Sequence, residues 1–237
     1  MISKNDPMKR SMRVKELERL YGFYHTFLKG YPFACAPGCS TCCTRNVLAT
    51  SLEIEFILSD PGTRTALVTA LKGMDPDSFG HYRPNITINE SARYYLRMEE
   101  PPSEGGEGQA PATSNPCPLL SPKGLCTIYE RRPFSCRAMV SSARCREEGE
   151  AEMEPFILTI NLAIQQVIEH LDQGGLYGNM WDLAAWMVDG TDRAHLRENQ
   201  PLPGFLITPM ERGRFMAFLR RLSRETGIEF PFFNTSP

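Results

Sequence analysis

Eight cysteines in two groups constrain this chain more than any other feature. The first group is Cys35-Ala36-Pro37-Gly38-Cys39-Ser40-Thr41-Cys42-Cys43. The second is Cys117, Cys126, Cys136 and Cys145, at steps of nine, ten and nine residues. A single cysteine is often just a small buried hydrophobe, a reading that suits Cys145 better than the four crowded between Cys35 and Cys43. In a secreted chain of under about 80 residues such a count would mark a disulfide scaffold. Here the chain has 237 residues. Met1 to Arg13 is polar and lacks the apolar centre of a signal peptide. No run approaches the roughly 18 apolar residues of a membrane span. The expectation is a cytoplasmic protein among reduced thiols, which makes metal binding or thiol chemistry the better default.

Thiolate selects soft or borderline ions: zinc, copper(I), or iron in a sulfide cluster. Short spacings let one tight loop aim several sulfurs at one ion with little ordering cost. Cys39-x2-Cys42 has the spacing of many metal knuckles, and Pro37-Gly38 supplies a turn. Adjacent Cys42 and Cys43 complicate this, because neighbouring side chains normally diverge. Either they serve different metal atoms, or one of them is structural or redox-active. Two zinc ions, one four-iron cluster with spare thiols, and a bridged binuclear centre all stay open. His25, His81, His170 and His195 do not stand at ligand spacing from the cysteines. Arg131, Arg132, Arg137 and Arg144 lie beside the second group and could offset its negative charge, or pair with Glu130, Glu147 and Glu148 at the surface.

The rest of the chain reads as helical. Val14, Leu17, Tyr21, Tyr24 and Leu28 form an apolar stripe over Lys9 to Leu28, ended by Gly30 and Pro32. Thr50 and Glu53 have capping-box spacing for a helix through about Ser59, stopped at Asp60-Pro61-Gly62. A short helix follows from Thr63 to Lys72, then one from Glu90 to Met98 with Asn89 as its cap. Pro101 to Pro116 contains no Val, Ile, Leu, Met or aromatic residue. It cannot bury a core face, and reads as a flexible insertion between two halves of one site. After Pro155, Ile157, Ile160, Ile164, Val167, Ile168 and Leu171 share one face, up to Gly174-Gly175. Asn179 to Val188 is a further helix. Thr208, Pro209 and Glu211 suit the start of a last one, with Phe215, Phe218, Leu219 and Leu222 as its buried face. The tail from Ile228 carries Phe230, Phe232 and Phe233, which should pack back on the body. The fold class is mainly α: helices packed around an irregular Cys-rich centre, with few or no strands, in a single domain spanning 1–237.

These residues carry a resemblance. Cys35-x3-Cys39-x2-Cys42-Cys43, then Cys117-Pro118-Leu119-Leu120, Cys126-Thr127-Ile128-Tyr129-Glu130-Arg131-Arg132-Pro133 and Cys136-Arg137 resemble the zinc- or iron-chelating cysteine-cluster family of CxxCxxCC, YkgJ-like type. Cys145 stands where many members have a further cysteine. The family's shorter form has two residues between its first cysteines; this chain has three. The resemblance implies chelation of zinc or iron through the eight cysteines. Some chains of this type, such as flagellin lysine methylases, are associated with an iron–sulfur cluster and S-adenosylmethionine. No Gly-rich cofactor loop here carries that activity over. Cys35-x3-Cys39-x2-Cys42 also has the spacing of radical enzymes, but the chain lacks a barrel's alternating strands and helices.

The leading expectation is therefore a metal-binding protein holding zinc or an iron–sulfur cluster. A metal-dependent enzyme, such as a protein-modifying transferase, and a metal-free thiol switch at Cys39 and Cys42 are the alternatives. A formal net charge of -2 gives no global field for nucleic acid or membrane. Neither is expected as a partner, and no protein partner is legible.

Overall fold

The computed structural model describes residues 7–36, 38–74, 81–102, 115–145 and 150–230. Their helices are α1 (Pro7–Leu28), α2 (Ser51–Leu58), α3 (Pro61–Lys72), α4 (Ile88–Leu96), α5 (Phe134–Ala138), α6 (Pro155–Leu171), α7 (Met180–Asp189) and α8 (Arg212–Thr226). Three short strands, β1 (Leu48–Thr50), β2 (Leu176–Asn179) and β3 (Arg197–Glu198), form one antiparallel sheet in the order β1-β2-β3. The chain is mainly α, as its periodicity predicts. Most of the expected insertion lies outside the described residues, as do Phe232 and Phe233.

Local chemistry accounts for the helix ends. Thr50 and Glu53 form the expected capping box: the Thr50 side chain accepts from Glu53 N, and Thr50 N donates to Glu53 Oε2 at 2.7 Å. Asp60-Pro61 starts α3 as well as ending α2. Asp60 accepts from Thr63 N at 2.9 Å as N-cap, and Pro61 takes the first helical position, where a missing N–H costs nothing. The cap of α4 is Thr87 rather than Asn89. Asn89 is instead buried, donating through Nδ2 to the carbonyls of Gln166 and Gln200 at 3.0 Å. The last helix begins at Arg212, after a turn in which Glu211 N donates to Thr208 Oγ1 at 3.3 Å.

Two apolar clusters hold the fold. In the first, α1, α6 and α8 meet around Leu17, Tyr24, Phe134, Ile164, Phe215 and Leu222, all buried. Ile228 and Phe230 fold back onto it, as expected for that part of the tail. Leu20 and Phe23 widen the buried stripe of α1 because α8 packs there, Phe23 meeting Phe218 edge-on at 5.4 Å. The second cluster centres on Trp181, Ile54, Ile57, Leu67, Leu119 and Ile128. Helix α2 joins the two: Leu52 and Phe56 face the first, Ile54 and Ile57 the second. Burying each such side chain contributes about 1.5–3 kcal/mol, so α2 is fixed from both sides. The second cysteine segment lies along the second cluster, with Cys117, Cys126 and Cys136 packed against it.

The sheet sets the frame for the site. β1 follows directly on the first cysteine loop and pairs Leu48 with Asn179 and Thr50 with Tyr177. Two glycines at and just before β2 sit in close quarters. A Cβ on Gly178 would lie 2.6 Å from the Leu196 side chain, and one on Gly175 would collide with the Asp172 carboxylate. Asp172 is buried beneath that turn, its Oδ2 accepting from Ser51 Oγ (2.6 Å), Leu52 N (3.0 Å) and Asn199 Nδ2 (2.8 Å).

Candidate metal centre

Backbone hydrogen bonds bring the two cysteine groups together. Cys117 N donates to Cys43 O at 2.9 Å, and Thr44 and Pro116 form an antiparallel bridge beside it. Ala34 N donates to Ser141 O at 2.8 Å, joining the segment before Cys35 to the one leading to Cys145. Within the first group, Cys39 N donates to Ala36 O and Cys43 N to Ser40 O, each at 3.0 Å, so the loop makes two successive tight turns. Gly38, with φ of +85°, adopts a left-handed conformation that favours glycine. In the second group a hairpin-like bridge joins Leu120 and Cys126, and Cys136 sits on α5.

Three anchors fix these segments to the helical frame. Ser135 Oγ donates to Leu48 O at 2.6 Å, tying α5 to β1. Asn179 Nδ2 donates to Arg45 O at 3.1 Å, tying the exit of the first loop to β2. Glu53 is the third. Its buried carboxylate serves the capping box through Oε2, while Oε1 accepts from Tyr21 Oη and from Phe134 N, both at 2.7 Å. One side chain thus joins α1, α2 and the chain just before Cys136. Burial pushes the Glu53 carboxyl above the usual carboxylate range, against the opposing effect of these donors.

The eight cysteines are free thiols, and they differ in setting. Cys35, Cys39 and Cys42 are exposed; Cys43, Cys117, Cys126, Cys136 and Cys145 are half-buried. Burial pushes Cys117 up to about 11, and raises Cys136 and Cys126. Cys136 is raised further by neighbouring negative charge at Cys117, Cys126 and Cys42. Cys43 is raised first by its hydrogen bond to Cys42, and also by Cys136 and Cys117; that same bond holds Cys42 down at about 6. Cys35 is raised by burial and by Cys39, Cys145 and Cys42. Neighbour by neighbour, these effects link the eight thiols in one series, with Cys39 and Cys145 joined to the rest through Cys35. Among the described residues, no three or more His, Cys, Asp or Glu side chains already stand at the geometry of a metal site. A cation has to draw the sulfurs in and displace their protons, which couples loading to local folding.

The arginines divide by role. Arg131 Nη1 donates to Phe56 O at 2.7 Å and its guanidinium lies 4.4 Å from the Phe56 ring centroid, so it caps the end of α2. Arg137 donates to the carbonyls of Arg132 and Glu130 and lies over Tyr21. Arg132 is the cation whose charge reaches Cys42, Cys126 and Cys136, and Arg45, which the spacing does not single out, reaches Cys117. Arg45 Nε and Arg132 Nε are both buried without a hydrogen-bond partner. Burying such donors is costly unless something nearby can accept from them. Soft thiolate donors with cationic neighbours are the chemistry that zinc or clustered iron selects, so the residues present fit such a group.

Two of the histidines have hydrogen-bond partners of their own. His81 is buried, its Nε2 2.9 Å from Asp182 Oδ2, and His170 Nδ1 accepts from Leu202 N at 3.2 Å. Tyr21 and Tyr24 are core residues; Tyr24 Oη donates to Asn161 Oδ1. Among the described residues no helix is long and apolar enough to cross a membrane. Sequence reasoning missed Glu53's second role and the position of Arg45, because both depend on partners remote in the chain.

No curated protein and no solved structure gives a match to the chain. A family model does, over residues 34–156, just over half of the chain and the whole span of both cysteine groups. The chain belongs to the CxxCxxCC family, described as "Putative zinc- or iron-chelating domain".

Proposed function

We propose that this protein holds zinc or an iron–sulfur centre through the thiolates of Cys35, Cys39, Cys42, Cys43, Cys117, Cys126, Cys136 and Cys145, and does so in the cytoplasm. The observation that supports the reading most is the Cys117 N to Cys43 O bond, which sets the two cysteine groups side by side although α2, α3 and α4 lie between them in the chain. An all-thiolate set takes zinc in tetrahedral coordination or iron as a sulfide cluster. Arg132 and Arg45 would offset part of its negative charge. The reading treats the chain as one domain, because α2 takes part in both apolar clusters and α5, which carries Cys136, places Phe134 and Ala138 in the first of them.

Elemental analysis with an absorption spectrum, on protein purified without oxygen, tests this. Stoichiometric zinc with no visible absorption, or iron with acid-labile sulfide and a broad visible band, is the expected result. Absence of both metals at stoichiometric level would overturn the reading.

A further inference from the structure

Resting on that reading, we propose that the eight thiolates divide into two adjacent centres. Cys43, Cys117, Cys126 and Cys136 form an inner one; Cys35, Cys39, Cys42 and Cys145 form an outer one. The vicinal pair Cys42 and Cys43 is the seam between them.

Two independent observations support the division. The first is packing. Cys117, Cys126 and Cys136 lie against the apolar cluster around Trp181 and Ile128, and the Cys117 N to Cys43 O bond brings Cys43 to the same side. Cys35, Cys39 and Cys42 are exposed. The second is backbone connection. The outer set is held by the Ala34 N to Ser141 O bond, four residues before Cys145, whereas the inner set is held by the Thr44 to Pro116 bridge, the Leu120 to Cys126 bridge and the Ser135 anchor.

Chelation geometry points the same way. Two consecutive cysteines on one tetrahedral ion would close a small ring through the peptide between them, and neighbouring side chains normally diverge. Assigned to different centres, each can turn to its own set. The two centres also differ in access. An open cleft of about 520 Å³ is lined by Phe33, two residues before Cys35, and by Ser142, three before Cys145. The cleft adjoins the outer set, of which Cys35, Cys39 and Cys42 are themselves exposed to solvent. The inner set is half-buried, with Cys117, Cys126 and Cys136 packed against the apolar cluster.

The test uses the full chain, reconstituted with zinc under reducing conditions and weighed by native mass spectrometry. Two ions per wild-type chain are expected, and one in Cys42→Ser and in Cys43→Ser. Alkylation mapping then identifies which ion remains. In Cys42→Ser, Cys117, Cys126 and Cys136 stay protected until a chelator is added, while Cys35, Cys39 and Cys145 react. Cys43→Ser gives the opposite pattern. Should Cys43→Ser fail to fold, Cys35→Ser and Cys145→Ser must each still retain one ion and the inner protection. A single ion in the wild type, or loss of all protection together in the outer variants, overturns the division and leaves chelation standing. No bound zinc in the wild type overturns the division, and overturns chelation as well if the protein purified without oxygen also lacks iron.

Discussion

Removing the Glu53 side chain should destabilise the protein severely and loosen the cysteine segment at the same time. Glu53 Oε1 accepts from Tyr21 Oη and Phe134 N, and Oε2 from Thr50 N, each at 2.7 Å and all in buried surroundings. In Glu53→Ala those three donors lose their acceptor at about 1–3 kcal/mol each, a gross cost of roughly 3–9 kcal/mol. The variant also escapes the desolvation that raises the Glu53 carboxyl. We expect a net loss of about 4 kcal/mol, a large share of the roughly 5–15 kcal/mol that holds an ordinary domain together. For a chain of this size that lowers Tm by roughly 8–16 °C. Glu53→Gln can keep its carbonyl toward Tyr21 and Phe134 and loses mainly the Thr50 cap, about 1–2 kcal/mol. Urea denaturation of wild type and both variants at neutral pH measures the order. Metal release to a competing chelator, followed in parallel, should be fastest for Glu53→Ala, since Phe134 lies two residues before Cys136. A Glu53→Ala protein within about 1 kcal/mol of wild type would refute the reasoning, as would equal losses in the two variants.

Two further outcomes follow from buried groups away from the thiols. Burial pushes the Asp172 carboxyl up to about 7. The folded state then binds its proton more tightly than the unfolded one, so its contribution is full below about pH 4 and is lost as pH rises to about 7, by about 4 kcal/mol in all. Asp172→Asn keeps an acceptor for Ser51, Leu52 and Asn199 without ionising, so stability relative to wild type should rise across that window; parallel pH profiles would contradict this. At Gly178, a Cβ falls 2.6 Å from the Leu196 side chain. Gly178→Ala should cost about 1–3 kcal/mol as Leu196 is forced aside, and an unchanged urea midpoint would show that the β2–β3 contact is looser than described.

The helices and the kinds of ligand were legible in the sequence because both are written locally. A 3.6-residue apolar period needs only one turn of helix to declare itself, and it placed Leu17, Tyr24, Ile160, Ile164 and Phe218 in the core, where they are found. The Thr50–Glu53 capping box is three residues of backbone chemistry, and it formed as read. Four cysteines between Cys35 and Cys43 announce soft-metal chemistry before any fold is known. Tertiary structure decided the rest. Strands of three, four and two residues carry no usable alternation, so the sheet appears only once β1 meets β2 across more than a hundred residues of chain. The cap residue Glu53 turns out to bind Tyr21 and Phe134, and Arg131 caps α2 while the charges of Arg45 and Arg132 reach the thiols. Which sulfur lies beside which is likewise a matter of loop closure. Sequence determines that the thiols exist and how far apart they are along the chain, but their directions are set by backbone bonds such as Cys117 N to Cys43 O, whose partners have no local relation to each other.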